Sequence, residues 1–246
     1  MTTPNRYQAD VLFVGSGISA LIAARACREA GMRVLILEQA PATALGGQAR
    51  DAFGGFWFVD TPEQRKARVR DTRQQAWEDW LGYAEFDEGD HWQRTWAEHY
   101  VQDCRQAVRD WLVHQGLSFF PVATWAERAW HGRGNRAPRF HLLWGCGLGL
   151  VNHMTQALQH EGRGELSMVC QHRVEQLVRE GGRITGVTGL DLGHARPFHA
   201  QARHVVISSG GYTGNLARVR QHWPTAVWGP APEALLNGSY PRIDGR

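Results

Sequence analysis

The apolar positions change their spacing along the chain. Near the N-terminus they form short unbroken runs, Val11-Leu-Phe-Val14 and Val34-Leu-Ile-Leu37. Unbroken runs of that length suit strands of a parallel sheet, buried on both faces. Between them, the small-residue stretch Ala20 to Ala30 predicts a helix that Gly31 stops. Residues 61–117 read as helical, and from Trp96 the apolar positions fall three or four apart: Trp96, Tyr100, Val101, Cys104, Val108, Trp111, Leu112. That period predicts one face of a long amphipathic helix, which Gly116 ends. Leu148–His160 predicts another helix, and β-prone runs follow over 166–170, 173–178 and 184–189. Glu180-Gly-Gly182 is the hairpin turn between the last two. The apolar run after His204 predicts one more buried strand, and residues 215–221 a helix. Residues 39–60, 131–147 and 227–246 carry no period; the first two read as Gly-rich loops.

The first strand runs into Gly15-Ser-Gly17-Ile-Ser-Ala20, and the second ends on Glu38. This is the spacing of a dinucleotide-binding βαβ unit. Gly15 permits a tight turn, Gly17 clears space for a pyrophosphate, and Ala20 lets the helix lie close to the strand. The helix N-terminus offers free N–H groups to phosphate. Glu38 stands where a carboxylate can accept ribose hydroxyls, and it would repel a 2′-phosphate, which disfavours NADP. FAD and NAD both stay open on these residues. The Gly-rich stretch Ala44 to Gly55 reads as backbone laid against a ligand, which an NAD domain does not need.

Composition narrows the field. Among 246 residues the net charge is +3, and Lys66 is the only lysine. The densest basic stretch, Arg65 to Arg70, reads as a solvated helix face rather than a nucleic-acid patch. No apolar run approaches the ~18–20 residues of a membrane span, and the N-terminus lacks a signal core. Cys27, Cys104, Cys146 and Cys170 are far apart and read as buried thiols of a reducing, cytoplasmic protein. Neither they nor the histidines have metal-ligand spacing, so no metal is expected. Tryptophan is dense: Trp77, Trp80, Trp92, Trp96, Trp111, Trp125, Trp130 and Trp144. These could wall a flat apolar substrate or pack helices. Packing is the better reading for Trp96 and Trp111, which lie on the apolar stripe; Trp125, Trp130 and Trp144 stay open.

Two further segments carry a resemblance: Pro138-Arg-Phe-His-Leu-Leu-Trp-Gly-Cys-Gly-Leu-Gly149, and Ala202-Arg-His-Val-Val-Ile-Ser-Ser-Gly-Gly-Tyr-Thr-Gly-Asn215. With the N-terminal motif and the pairs Gly46-Gly47 and Gly54-Gly55, the chain resembles the FAD-dependent oxidoreductases grouped with fumarate reductase and succinate dehydrogenase flavoproteins. Within that group it is most similar to bacterial FAD-binding dehydrogenases related to 3-ketosteroid dehydrogenases. The resemblance implies an α/β fold with a Rossmann-like FAD-binding domain, made of a parallel sheet, flanking helices and a small β-meander. It also implies a Trp-rich helical insertion, and a family fold whose C-terminal part is absent. The expected divisions are a βαβ core and flavin segment (1–60), a helical insertion (61–135), a return to the FAD domain (136–225) and the start of a truncated substrate domain (226–246).

By resemblance, Gly15, Ser16, Gly17, Ser19 and Ala20 would hold the pyrophosphate and Glu38 the adenosine ribose. Gly46, Gly47, Gln48, Ala49, Gly54 and Gly55 would run beside the ribityl chain and flavin ring. Val174 would meet the adenine through its backbone, and Ser208, Ser209 and Gly210 would approach the FAD. Gln48 occupies the position where membrane-complex relatives carry a flavin-linking histidine, which implies noncovalent FAD. The implied activity is dehydrogenation at CH–CH or carbonyl-adjacent C–H groups, with hydride passing to the flavin. The implied substrate is a small apolar or carbonyl-bearing molecule. Arg139, His141, Tyr100 and Tyr212 are candidates for proton transfer or oxyanion support, and none is assigned the catalytic role. A separately encoded C-terminal half is a possible partner, and this chain alone is expected to hold FAD weakly and not to turn over. A non-catalytic remnant or half of a split flavoenzyme, and an NAD-binding oxidoreductase, stand as alternatives.

Overall fold

The computed structural model describes residues 5–120, 126–128 and 134–235. In chain order the first elements are β1 (Asn5–Val14), α1 (Ile18–Glu29), β2 (Val34–Leu37), a 3-10 turn (Ala42–Ala44), α2 (Gly47–Asp51) and β3 (Gly55–Trp57). Then come α3 (Pro62–Lys66), α4 (Arg73–Ala84), α5 (His91–Asp103), a π-helical segment (Cys104–Asp110), α6 (Trp111–His114) and β4 (Phe140–Leu142). The remainder is α7 (Cys146–His160), β5 (Leu166–Val169), β6 (His172–Glu180), β7 (Arg183–Asp191), β8 (Arg196–Ile207), α8 (Leu216–Gln221) and α9 (Thr225–Trp228). These fall into two compact units. One comprises Met1–Asp51 with Val151–Arg246, the other Ala52–Leu150.

The first unit is built on a six-stranded sheet of order β5-β2-β1-β8-β7-β6. The first four strands are parallel, and β8, β7 and β6 join as an antiparallel meander. The apolar run of β2 is buried at all four positions, as its unbroken pattern predicts. Leu12, Leu35, Leu37, Val187, Phe198 and Ala200 form one apolar cluster linking the parallel strands to the meander. Burying side chains of this size contributes ~1.5–3 kcal/mol each. The hairpin turn falls where the sequence puts it: Glu180 pairs with Arg183, and Gly181 and Gly182 have φ of 54° and 81°. Two consecutive positive φ angles are what a two-residue turn between twisted strands requires.

One strand departs from expectation. The end of β8 is not buried: Val206 and Ile207 are 37% and 61% exposed. β7 pairs with β8 only as far as Gln201, whereas β1 pairs with it through Ile207. Past Gln201, β8 has a strand on one side only among the described residues. The apolar run reports a strand's capacity for burial, not its cover.

On α1, Ala20, Leu21, Ala24 and Arg28 are buried. Arg28 is the unusual member. Its guanidinium donates to the carbonyls of Leu158, of Glu161 at 2.5 Å and of Gly164 at 2.9 Å. The Leu158 carbonyl belongs to the last turn of α7, where carbonyls lack helical partners. A cation there also opposes the negative end of the helix dipole.

The second unit holds the helices of the insertion and the two-stranded ladder β3–β4. Its core includes Phe58, Val59, Ala76, Ala97, Val101, Leu112, Phe119 and Leu143. The long helix expected from Trp96 is interrupted: α5 passes into the π segment before α6. The π turn is wider than an α turn, and the shift of hydrogen-bond register leaves no mark in an apolar stripe. Arg105 and Arg109 leave this segment toward one corner, where Arg105 meets Asp60 at 2.9 Å and Arg109 grips both oxygens of Glu63 at 2.6 and 3.1 Å. Along α5 and its continuation Val101, Cys104 and Leu112 are buried as expected, whereas Ala97 takes the place expected of Trp96. Trp96 is accordingly 71% exposed, against the packing role expected of it, and Trp111 is half-buried.

Other expectations are corrected too. Residues 131–147 are not a loop throughout, because β4 and the start of α7 lie there. Of the four thiols only Cys104 is buried, and burial pushes it up to about 11; Cys146 is exposed, and Cys27 and Cys170 are half-buried. The basic stretch is exposed, but only its first two residues are helical. Trp125 and Trp130 lie outside the described residues.

A fully buried Arg139 organises this unit. It holds Asp71 through two bonds of 2.7 and 2.8 Å and Asp79 through one of 2.8 Å. Its guanidinium carbon stands 5.2 Å from the Trp57 ring centre, within cation–π range. Arg136 adds an amide bond to Asp79 at 2.9 Å and a guanidinium bond at 2.5 Å. Thr61 and Gln64 form the capping box of α3, and Gln64 then donates to Asp71 at 3.0 Å.

Two predictions follow from this wiring. Arg28→Met keeps the side-chain length but strands the carbonyls of α7, and should cost about 2–3 kcal/mol of stability, read as a fall in melting midpoint. The second concerns acid. Burial raises the carboxyl of Asp79, but the Arg136 amide and the two guanidinium groups outweigh it and hold the group below the usual carboxylate range. A depressed folded pKa gives stability that is present above the unfolded value, near 4, and is lost as pH falls through the folded value. Melting midpoints should therefore drop on acidification below about pH 4. Asp79→Asn should cost about 3 kcal/mol at neutral pH and flatten that acid limb.

Candidate functional site

The carboxyl ends of β1, β2 and β8 converge in the first unit, and a cleft of about 560 Å³ opens there. Residues 14–19, 37–40, 44, 46–49, 172–174 and 207–210 line it. β1 has β2 on one side and β8 on the other, so the chain reverses its strand order at this point. Ligands of open α/β sheets bind at such a switch point.

Gly15 makes the convergence possible. Its φ is 97°, and a Cβ there would lie 2.6 Å from the backbone oxygen of Ser208. The amide of Gly15 donates to Leu37 O at 2.8 Å, and the amide of Ser208 donates to Val14 O at 2.9 Å. Gly17 caps α1 without any side-chain bond, and the first turn of α1 holds no acidic residue. The N–H groups and partial positive charge of this helix end therefore face the cleft uncompensated, as an anion requires.

Ser16 and Glu38 are locked together. The Ser16 amide and hydroxyl both donate to Glu38 Oε2, at 2.8 and 2.6 Å, and Ala40 N–H donates to Oε1 at 2.8 Å. The Ser16 hydroxyl also accepts the Gly46 amide at 3.3 Å. Ser16 is wholly buried, so its side chain serves the carboxylate rather than the cleft. A carboxylate accepts about four hydrogen bonds; with three filled, Oε1 keeps one direction for a ligand hydroxyl. Gly46 bridges Gly17, and a Cβ on it would strike Val151 at 2.3 Å.

Most residues singled out from the sequence meet in this cleft: Gly15, Ser16, Gly17, Ser19, Glu38, Gly46, Gly47, Gln48, Ala49, Val174, Ser208, Ser209 and Gly210. Ala20 is buried and not in the lining. Gly54 and Gly55 belong to the second unit and are likewise not in the lining. Sequence reasoning missed Gln39, Ala40, His172 and Arg173. The acid closing β2 was a signal for the residues just after it; nothing local marked His172.

The four candidates for proton chemistry resolve differently. Arg139 is spent on Asp71 and Asp79. His141, wholly buried, stands 2.7 Å from the Arg139 carbonyl through Nδ1 and 2.7 Å from Thr61 Oγ1 through Nε2. A carbonyl only accepts, so Nδ1 carries the hydrogen and Nε2 accepts from the Thr61 hydroxyl. Burial lowers the pKa of this ring, which favours the neutral form these bonds need. The Tyr100 hydroxyl donates to Trp57 O at 2.9 Å, and burial pushes its pKa up. All three are tied down within the second unit. Tyr212, in the first unit, is 38% exposed, with its ring 5.4 Å from that of His222. Among the described residues no group of three or more His, Cys, Asp or Glu side chains could hold a metal ion, and no helix is long and apolar enough to cross a membrane.

A buried acid at the end of β2, an uncapped helix start and a backbone cradle that side chains would fill all fit a dinucleotide. Comparison with known proteins says which one. A steroid dehydrogenase of Mycolicibacterium smegmatis, described as KsdD-like, is 39% identical over 97% of this chain and 46% of its own length. The NADH:fumarate oxidoreductase of Klebsiella pneumoniae is 27% identical over 87% of this chain and 22% of its own. The chain thus spans under half the length of these relatives. Among solved structures, the 3-ketosteroid-Δ4-(5α)-dehydrogenase of Rhodococcus jostii RHA1 superposes with a TM-score of 0.74 at 21% identity, over 100% of this chain and 55% of its own. A flavocytochrome c3 fumarate reductase gives 0.76 at 21% identity, over 97% and 39%. At that identity the two structures establish the shared fold. The model of the FAD binding domain family matches residues 10–239, and the chain belongs to that family.

Proposed function

We propose that this chain is the flavin-binding part of an FAD-dependent dehydrogenase acting on a small apolar, carbonyl-bearing substrate of the steroid kind. The observation that carries the reading is the cleft at the ends of β1, β2 and β8, with the uncapped start of α1 on one side and Glu38 on the other. The relatives named as steroid dehydrogenases support the substrate class.

In this reading the amides at the start of α1, with Gly15 and Gly17, bind the pyrophosphate. Glu38 Oε1 accepts a ribose hydroxyl while Ser16 holds the other carboxylate oxygen. The start of β6 at Arg173 and Val174 meets the adenine by its backbone. Gly46, Gly47, Gln48 and Ala49 run along the ribityl chain, and Ser208 to Gly210 close the cleft from β8. Gln48, an amide with no nucleophilic nitrogen, leaves the flavin noncovalent. Bound FAD would supply hydride acceptance. The groups that move protons on the substrate belong to a further portion of the enzyme, on this polypeptide or on a second one, because Arg139, His141 and Tyr100 are already engaged. The second unit is the helical insertion into the FAD domain. Four unpaired thiols support a reducing, cytoplasmic setting.

The purified chain should acquire flavin absorption near 370 and 450 nm (~, oxidised flavin) when mixed with FAD, and denaturation should release it intact. Glu38→Gln should weaken FAD binding about 10–100-fold, since a charged acceptor is worth ~1.5–3 kcal/mol. Ser16→Ala should weaken it by a smaller factor, of about 3–10. A chain that binds NAD but not FAD would refute the reading, whereas FAD binding without steroid-driven bleaching would leave the flavin-binding part of it standing and remove its support for a steroid substrate.

A further inference from the structure

His172 has no role in the reading above, yet it is 94% removed from solvent by its 6% exposure and sits at the lip of the cleft. Here the chain leaves the parallel part of the sheet at Val169 and enters the antiparallel meander at His172. The crossing wraps the end of β2. Glu38 N–H donates to Val169 O at 3.0 Å, His172 N–H donates to Glu38 O at 2.8 Å, and Gln171 N–H donates to Ala40 O at 3.1 Å. The ribose acid and the first residues of β6 are therefore one continuous edge.

The corner residue, Gln171, has φ of 56°, a left-handed conformation that side chains other than glycine seldom adopt. The His172 ring bridges that corner. Its Nδ1 stands 2.9 Å from Cys170 O, and its Nε2 stands 2.9 Å from the Tyr7 hydroxyl. The carbonyl can only accept, so Nδ1 carries the hydrogen and donates to Cys170 O, and Nε2 pairs with the Tyr7 hydroxyl. Tyr7 and Phe198 pack around the ring, at 5.5 and 4.9 Å between centres. The Nδ1 bond closes over Gln171 and clips the corner, and Tyr7 and Phe198 hold the ring that makes the clip.

We propose that His172 is a positioning residue for adenosine recognition: its bond to Cys170 sets the corner that holds Glu38 and the Arg173–Val174 backbone together against the adenosine end of the dinucleotide. This rests on the flavin-binding reading above. The residue touches no ligand in this scheme and acts through the backbone it fixes.

Two isosteric replacements separate its two bonds. His172→Asn puts an amide N–H near the Nδ1 position and keeps the clip to Cys170 while losing Tyr7. His172→Gln reaches toward the Nε2 position and keeps Tyr7 while losing the clip. ADP serves as the probe of the adenosine end, by calorimetric titration, beside FAD affinity and the melting midpoint of the ligand-free chain. His172→Asn and Tyr7→Phe should bind ADP within about threefold of the parent, and His172→Gln about tenfold more weakly, with FAD following the same order. A merely structural role would make ADP affinity follow the melting midpoints instead. Equal ADP affinities for the Asn and Gln variants, or the reverse order, would overturn the proposal. So would a Gln variant that no longer folds, because the clip would then prop the whole unit. A parent chain that binds neither FAD nor ADP would sink the flavin reading itself, whereas a parent that binds both with variants that bind equally well would sink this inference alone.

Discussion

The approach of Gly15 to Ser208 is the constraint on which the cleft depends. Only a residue without a side chain can turn at that φ while the β8 carbonyl stands where its Cβ would be. Because the two backbones come so close, the ends of β1 and β8 and the start of α1 share one small volume. The hydrogen bonds from Gly15 to Leu37 and from Ser208 to Val14 then tie the neighbouring strand ends into the same knot. Glycine and strand-end backbone make up much of the cleft, with the Glu38 carboxylate beside it.

That economy explains why so much of the site was legible in the sequence. Gly15 is dictated by sterics and Glu38 is marked by its charge at the end of an apolar run, so a single sequence displays both. The β2 run and the 180–182 turn were legible for the same reason: four buried apolar residues and two glycines with positive φ have one local solution each. What was not legible depended on partners distant in sequence. Trp96 carries the right spacing for a buried stripe with Val101 and Cys104, yet Ala97 takes its place on that face, and the choice is made by packing. Val206 and Ile207 look buried in sequence because a run of β-branched residues cannot tell whether a neighbour covers it. His172 gives no local sign at all; its partners are Tyr7, 165 positions away, and the carbonyl two residues back.

The same distinction separates the two functional arguments. Arg139 and His141 were reasonable candidates for chemistry by residue type, and the resemblance placed them in a suggestive segment. Their surroundings decide otherwise. A guanidinium between two buried carboxylates has its charge compensated, and withdrawing it toward a substrate would leave Asp71 without its ion pair and Asp79 with Arg136 alone, at a cost of several kcal/mol. A neutral imidazole with both nitrogens bonded has no free lone pair to accept a proton and no free hydrogen to give. Both side chains are therefore part of the internal hydrogen bonding of the second unit.

In the proposed reading, holding a dinucleotide and moving protons need different kinds of structure. The cleft is framed by fixed backbone at the ends of the parallel strands and the α1 start, and an added Cβ at Gly15 or Gly46 would clash. Proton transfer to or from a substrate needs the opposite, a side chain with an unsatisfied atom facing a space that a substrate can enter. Tyr212 is the most exposed of the four candidates, with the His222 imidazole 5.4 Å away between ring centres. Among the four candidates, Arg139, His141 and Tyr100 are engaged by their own neighbours, and the proposed reading therefore looks beyond them for the acid–base groups.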